Sequence, residues 1–511
     1  MTGALLWLAA GAALSAQIQF TRIESPHFEL YTDGAKGRAI DVLEHFEKVR
    51  SFFAQTITAH STLAKPRVVV LNSKRAFATF VDRKSTAAYF IALPHRDLIV
   101  IGPASGMEDN TTITHEYVHL LVSQAEMALP LWLNEGIAEV YSTLQPVGNK
   151  MRVGTPIPSH LRRLRMDWLD MRQVLKAESY GSEEHIGPFY SMSWAIAHML
   201  LLEDDLRPKW PRFGRLLETG ATPEEALKQS YGLTPQQLEQ HVQGYIRSKT
   251  VNVVEFPFKW EEWKEKAHAA PASPLENELT MIELSISGKD LATAGRRAQA
   301  LTAAMPKAAE PWEALASVRL YERNDAGAAE AIREAFARGT AKPALLARGA
   351  ALAGEDRELA KQMLDRALAT DGRHFEALYQ LAVWHWRGGE AATARAAAGR
   401  AIESSMSGKN KAAAEKLLAM ITERRGTPGA VAAEGNGVET GMLVEVECQD
   451  RGQVLHVRTV AGLRKIAVDT GQSLLIAGER VSVGCGAQKR PRRVRVGVSP
   501  EGLARKLEFL P

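Results

Sequence analysis

The sequence predicts a multidomain α+β protein built from three unlike parts. Near the amino end, short β-branched runs alternate with helical apolar spacing. A central Ala-rich stretch repeats helix pairs every 30-odd residues. The last 70 residues return to closely spaced strands, which predicts a small β-barrel or sandwich. At 511 residues the chain is too long for one ordinary domain. A hydrophobic content of 45% with 24% charged residues is that of a soluble globular protein. The net charge of +4 leaves no electrostatic footprint for nucleic acid. Lys489, Arg490, Arg492, Arg493 and Arg495 cluster locally and read as a solvated strand face rather than a polyanion site.

The first element is Ala4–Ala16, ALLWLAAGAALSA, long enough for the core of a signal peptide and too short to span a bilayer. Ser15-Ala16 offers a cleavage site, although no Lys or Arg precedes the run; the other reading is a buried amino-terminal helix. Residues 1–16 are therefore expected to direct export to the periplasm or the extracellular medium. No later stretch reaches roughly 18 uncharged apolar residues, so no transmembrane segment is expected after signal removal.

From residue 17 onward strand and helix signals mix. Phe28-Glu29-Leu30-Tyr31, Pro66–Leu71 and Leu98–Ile101 read as strands, and Arg38–Phe53 carries apolar residues at helical spacing. Residues 106–265 read as mostly helical, with Pro257–Trp263 and 268–274 as a linker. Residues 275–424 hold the repeats. Pro311, Pro343 and His374 open successive units, 32 and 31 residues apart. Each unit breaks in the middle, at Asn324-Asp325, Gly354-Glu355-Asp356 and Gly388-Gly389-Glu390. Helix pairs of this period are similar to tetratricopeptide repeats, which stack into a concave surface able to hold a protein partner. Residues 275–310 are a candidate degenerate first unit. A linker at 425–440 precedes the β region 441–511, whose expected strands are Met442–Cys448, Val454–Thr459, Lys465–Val468, Val481–Cys485, Val494–Val498 and Lys506–Leu510. The chain's two cysteines, Cys448 and Cys485, both lie here, either as one disulfide or as two buried thiols.

The chemistry is concentrated in Thr114-His115-Glu116-Tyr117-Val118-His119, which contains HExxH. On a helix, i and i+4 share a face, so His115 and His119 can reach one Zn2+, and Glu116 can meet a water beside it. Asn110 and Thr111 are N-cap candidates. By itself the motif also fits a surface helix with two solvated histidines. A catalytic zinc wants a third protein ligand, and Leu131–Glu139 (LWLNEGIAE) supplies a candidate after Pro130 starts a second helix. If the first helix ends near Gln124 and the second runs antiparallel to it, His119 lies roughly 9 Å before the turn and Glu135 roughly 7–8 Å after it. Glu135 can then share the metal. Glu139 lies roughly 13–14 Å from the turn and His115 roughly 15 Å, which lets Glu139 accept the spare ring N–H of His115.

HEYVH followed by LPLWLNEGIAEVY resembles the gluzincins, the clan of thermolysin and the related zinc aminopeptidases, and in particular the bacterial peptidase MA-like domain found fused to tetratricopeptide repeats. The resemblance covers roughly residues 20–250. It implies a zincin-like metallopeptidase domain over 17–265, one Zn2+ per chain on His115, His119 and Glu135, Glu116 as general base, and a peptide or protein substrate. It also implies a Tyr or His that stabilises the oxyanion. Phe189–Ala195 resembles the Tyr-containing helix of the aminopeptidases, so Tyr190 is the candidate, with His185 and His198 as alternatives and a core tyrosine as the other reading. Leu98–Ile101 resembles the edge strand that holds substrate backbone, though an internal strand would look the same. One departure is that only 15 residues separate His119 from Glu135, fewer than in the familiar aminopeptidases. Gly106–Asn110 superficially resembles the exopeptidase motif GxMEN but abuts the helix, and it reads as a loop and cap. The competing expectation is a catalytically inactive zincin-plus-repeat scaffold in the cell envelope.

Overall fold

The structure is a computed structural model. It describes residues 18–56, 65–81, 87–103, 109–248, 252–260, 267–405, 407–423, 438–449, 452–459, 462–468, 475–477, 485–498 and 504–509. The expected signal segment, residues Gly106–Glu108 and the strand expected at 481–484 lie outside these residues. The chain divides near residue 425 into two compact units.

The first unit opens with strands β1 (Thr21–Glu24) and β2 (Glu29–Thr32), helix α1 (Lys36–Thr56), β3 (Arg67–Val70), the short α2 (Lys74–Ala78), and the hairpin β4 (Ala88–Leu93) and β5 (Arg96–Ile101). Then come α3 (Asp109–Gln124), α4 (Leu131–Ser142), β6 (Gln145–Val147), β7 (Lys150–Val153), α5 (Pro158–Arg163), α6 (Met171–Lys176) and α7 (Glu183–Leu202). Helices α8 (Trp210–Glu218), α9 (Pro223–Tyr231) and α10 (Pro235–Arg247) follow, with β8 (Val254–Pro257) and β9 (His268–Pro271). The main sheet has the order β4-β5-β3-β2-β1-β9, with β2, β3 and β5 parallel and the rest antiparallel.

Both faces of this sheet are buried, which explains why β3 reads as an unbroken apolar run, Val68-Val69-Val70. With a period of two, Val68, Val70, Ile99 and Ile101 face a core shared with α1, α3, α4 and α7, while Val69, Leu71, Leu98 and Val100 face the repeat helices.

Two expectations are corrected and a third is extended. Leu98–Ile101 is internal, paired on both sides, and the edge strand is β4. The stretch 268–274 is not a free linker: β9 pairs with β1, and its Pro271 sits at a sheet edge, where a missing N–H is tolerated. The region expected to be mostly helical also holds a three-stranded sheet, β6-β7-β8.

The solenoid comprises α11 (Pro274–Ser287), α12 (Leu291–Ala304), α13 (Glu310–Tyr321), α14 (Asp325–Ala337), α15 (Pro343–Leu352), α16 (Arg357–Thr370), α17 (Phe375–Arg387), α18 (Ala391–Ser404) and α19 (Gly408–Glu423). The expected unit openings and breaks coincide with helix starts, and Asn324 and Asp356 cap α14 and α16 by accepting from Gly327 and Leu359 amides. Residues 275–310 form a full pair, α11 with α12.

The repeats pack directly on the sheet, and both lie in the first compact unit. Arg67, 2% exposed, donates to Glu283 (2.9 Å) and Thr280 (3.1 Å) on α11. His95, in the β4–β5 turn, lies 3.1 Å from Glu283 and 2.6 Å from Ser317 on α13. A buried charge cluster of this kind is costly to break from one side, so α11 and α13 are held as a second cover of the sheet.

The second unit contains β10 (Val438–Gln449), β11 (Gly452–Thr459), β12 (Gly462–Ala467), β13 (Leu475–Ala477), β14 (Gly486–Val498) and β15 (Ala504–Phe509), ordered β12-β11-β10-β14-β15-β13. Its core lies on one side, from Leu443 and Val446 to Val494, Val496 and Leu507, and a bridge between Val468 and Ala504 draws the β12 end back to β15 in a barrel-like curl. β10 begins at Val438, inside the expected linker. Cys448 and Cys485 are joined in a disulfide. Arg492, Arg493 and Arg495 are exposed while Val494 and Val496 point inward, the solvated strand face that alternation implies.

Candidate metal centre

Helix α3 is wedged between α1 and the edge of the sheet. Its inner face, Ile113, Tyr117, Val118 and Leu120, is buried. Tyr117 closes an aromatic cluster with Phe28, Phe46 and Phe53, ring centroids 6.0–6.1 Å away. That fixes the roll of the helix and turns His115 and His119 to the opposite face, with the buried Glu116 at the border between the two. The helix starts at Asp109, so Asn110 and Thr111 fall inside its first turn rather than at the cap; Thr114 Oγ1 donates to the Asn110 carbonyl.

The chain reverses through Glu126, whose φ of 51° belongs to the left-handed region, and α4 returns antiparallel from Pro130. Gly136 sets the depth of α4. A Cβ there would come 2.3 Å from the Ser193 carbonyl oxygen and 2.7 Å from the Ala197 Cβ, so α4 and α7 meet backbone to backbone only because this residue has no side chain. Gly136→Ala is expected to cost about 2–3 kcal/mol, the upper range for overpacking, and to weaken zinc binding by displacing Glu135. Urea unfolding and a zinc titration check both.

With α4 in this position, His115 Nε2, His119 Nε2 and a Glu135 carboxylate oxygen all lie within 4.8 Å of one another. The two Nε2 atoms are 3.0 Å apart, and Glu135 Oε2 is 3.2 Å from His115 Nε2 and 3.4 Å from His119 Nε2. Ligands at tetrahedral zinc distances stand roughly 3.3 Å apart. Glu135 is 1% exposed, and its Oε2 is buried with no hydrogen-bond partner: the imidazoles are near it but are not aimed to donate. A buried, unsatisfied carboxylate oxygen is expensive, and a cation meeting the three atoms would satisfy it. The donor set, two imidazoles and one carboxylate, is a catalytic zinc set. Among the described residues this is the one group of three or more His, Cys, Asp or Glu side chains placed to hold a metal.

Each of the three side chains has a neighbour behind it. His119 Nδ1 is 3.3 Å from Asn134 Oδ1, so the tautomer that donates there leaves the Nε2 lone pair free. His115 Nδ1 is 3.6 Å from Glu139 Oε1, where helix-rise arithmetic puts it. Glu139 Oε2 lies 3.1 Å from His160 Nε2, and His160 Nδ1 lies 3.1 Å from Ser191 Oγ. Tyr180 donates to Glu135 Oε1 at 2.7 Å. Sequence reasoning misses both His160 and Tyr180. They sit on α5 and in the loop before α7, and no fixed spacing links them to the motif.

Burial opposes charge on His115, but the adjacent carboxylates of Glu135, Glu139 and Glu116 push it up to about 9. Burial likewise opposes ionisation of Glu135, and the two imidazoles outweigh it, holding the carboxyl far below its usual range. Protons and a cation therefore compete for the same atoms. Glu116 is raised, chiefly by burial, with His115 and His119 pulling the other way. Tyr190 is raised strongly by burial and by the negative charge of Glu135.

His115, Glu116, Glu139 and Tyr190 line a cleft of about 320 Å³, together with Ala88 of the edge strand and Ile186. The Tyr190 ring lies 6.0 Å from that of His115 and stacks on Tyr180, 5.8 Å away with the ring planes nearly parallel. Tyr180 is also a side-chain hydrogen-bond partner of Tyr190, as the core-tyrosine reading expects; the two histidine alternatives lie elsewhere. His198 is fully buried between Tyr245 and the Gly154 carbonyl, and His185 is exposed beside Ser182.

No protein-family model matches the sequence, and no curated protein does. Solved structures are similar over part of the chain, two of them as follows. The MamA protein is 17% identical over 29% of this chain and 90% of its own, with a TM-score of 0.24. A thermophilic TPR protein of Thermus thermophilus is 16% identical over 30% of this chain and 82% of its own, with a TM-score of 0.23. Similarity at this level adds nothing to the helix pairing described above.

Proposed function

We propose that the protein is a zinc-dependent peptidase of gluzincin type, exported from the cell, with repeats that hold a protein partner or the substrate. The observation that carries the reading is the convergence of His115 Nε2, His119 Nε2 and the otherwise unsatisfied, buried Glu135 Oε2 on one point. Glu116 stands beside it, lining an open cleft.

Zn2+ held there supplies Lewis acidity that polarises a carbonyl and eases deprotonation of water. The remaining work falls to the chain. Glu116 takes the proton of the attacking water and passes it to the departing amine; burial, which raises its pKa, makes it a better base. The Tyr190 hydroxyl stays protonated across the working range and donates to the developing oxyanion. Tyr180 fixes the free oxygen of Glu135, and Glu139 orients His115.

Export is supported by the apolar segment Ala4–Ala16 and by the Cys448–Cys485 disulfide, which persists in oxidising compartments. The stacked helix pairs support a protein partner. Purified protein is expected to carry close to one zinc per chain, to digest a broad peptide library, and to lose that activity by at least about a hundredfold after chelation, with recovery on adding Zn2+. Elemental analysis and mass spectrometry of the digest check this. Cleavage that survives complete metal removal is incompatible with the reading.

A further inference from the structure

Among the described residues, the outer edge of β4 offers an extended peptide near the metal centre a backbone partner. The Gly102 amide donates to the Ala87 carbonyl at 2.8 Å, which sets the parity of the strand. Ala87, Tyr89, Ile91 and Leu93 hydrogen-bond inward to β5, so Ala88, Phe90 and Ala92 present their amides and carbonyls outward. Two of these positions are engaged. The Phe90 N–H donates to the Glu116 carboxylate. The Ala92 carbonyl accepts from the Tyr321 hydroxyl at 3.1 Å, and Tyr321 is the last residue of α13 in the repeats.

We infer that Tyr321 closes the β4 edge at Ala92, so that the proposed peptidase removes short pieces from the amino end of its substrate rather than cutting within long chains. The inference rests on the peptidase reading above and specifies its substrate class. The metal ligand His115 and the base Glu116 line the cleft with Ala87 and Ala88, so the bond to be cut lies opposite the Ala88–Phe90 stretch. Antiparallel addition is the more stable pairing per residue, and in it a substrate strand runs from its amino end near Ala92 towards its carboxyl end near Ala88. From Phe90 to Ala92 is two residues, roughly 7 Å of strand. At Ala92 the outward carbonyl is already taken by Tyr321. That leaves space for about three residues on the amino side of the cut. The repeat array thereby sets product length through one side chain, without touching the reacting atoms. At 37% exposure, Tyr321 can be replaced without opening the core.

The test uses full-length, zinc-loaded protein and a ladder of peptides sharing one cleaved sequence, with one to eight residues on its amino side. Mass spectrometry reads the cut positions. Wild type is expected to cut efficiently with up to about three amino-side residues, and at least tenfold less well with more. Tyr321→Ala is expected to flatten that dependence by about tenfold, and Tyr321→Phe, which removes only the hydroxyl, by less. Zinc content and thermal midpoint should match wild type in both variants. If wild type cuts long and short amino-side peptides equally, the cap is overturned while the peptidase reading stands. If wild type shows the length limit and Tyr321→Ala retains it in full, Tyr321 is not its cause. If no zinc-dependent cleavage occurs at all, the peptidase reading fails and takes the cap with it.

Discussion

Glu116→Gln is expected to lower kcat by about a thousandfold or more, within the 10²–10⁴ span of general acid–base catalysis, while bound zinc stays near one per chain. Glutamine has the same shape and can turn its carbonyl to the Phe90 N–H, the contact that positions Glu116 now. It cannot take a proton from water or return one to the amine. The neighbouring His115, His119 and Glu135 keep their geometry, because Glu116 is not among the three converging atoms. Paired measurements of kcat at saturating peptide and of metal content separate the outcomes. Wild-type turnover by Glu116→Gln would remove Glu116 from the chemistry. Loss of zinc together with turnover would make it a ligand or a structural residue instead.

The part of this site that is legible in the sequence is the part governed by helix periodicity. His115 and His119 share a face because they are four apart. The depths of Glu135 and Glu139 follow from Pro130 and the rise per residue, and the distances of 3.2–3.6 Å agree. Tyr180 and His160 are not legible. Their positions depend on how α5 and the loop before α7 fold back on α4, and no repeat spacing encodes that. The same limit applies to the sheet. Leu98–Ile101 is expected at the edge only through the resemblance and its place upstream of the metal-binding helix, whereas its unbroken branched run is what a strand buried on both faces selects. His268–Pro271 reads as linker because its composition is poor in strand formers; its strand state is imposed by β1 alone. In the repeats, by contrast, Pro, Gly and Asn at the breaks have strong local preferences, and the helix starts follow from them. What composition conceals there is the Arg67–Glu283–His95 cluster, which ties the first helices to a sheet some 200 residues earlier in the chain.

Glu135→Ala is expected to give the complementary result, with zinc and activity lost together. Removing a residue that only orients a ligand weakens metal binding by about 10–100-fold, and Glu139→Ala should fall in that range. Glu135 supplies the one anionic donor among the three converging side chains, so its loss should exceed that range and leave two imidazoles on a single helix. Two stability effects oppose each other. Tyr180 loses its acceptor for a hydroxyl donation of 2.7 Å, which costs about 1–3 kcal/mol when the donor stays buried. Deleting a carboxylate that is 1% exposed also removes a charge that burial penalises. The net change in metal-free unfolding should therefore be small beside the change in zinc affinity. Glu135→Gln sharpens the comparison, because the amide oxygen can still accept from Tyr180 while making a poor zinc ligand. That variant should fold like wild type and still fail to hold zinc in competition with a chelator. If Glu135→Ala or Glu135→Gln keeps stoichiometric zinc at wild-type affinity, the third ligand is elsewhere and the metal centre described above is wrong.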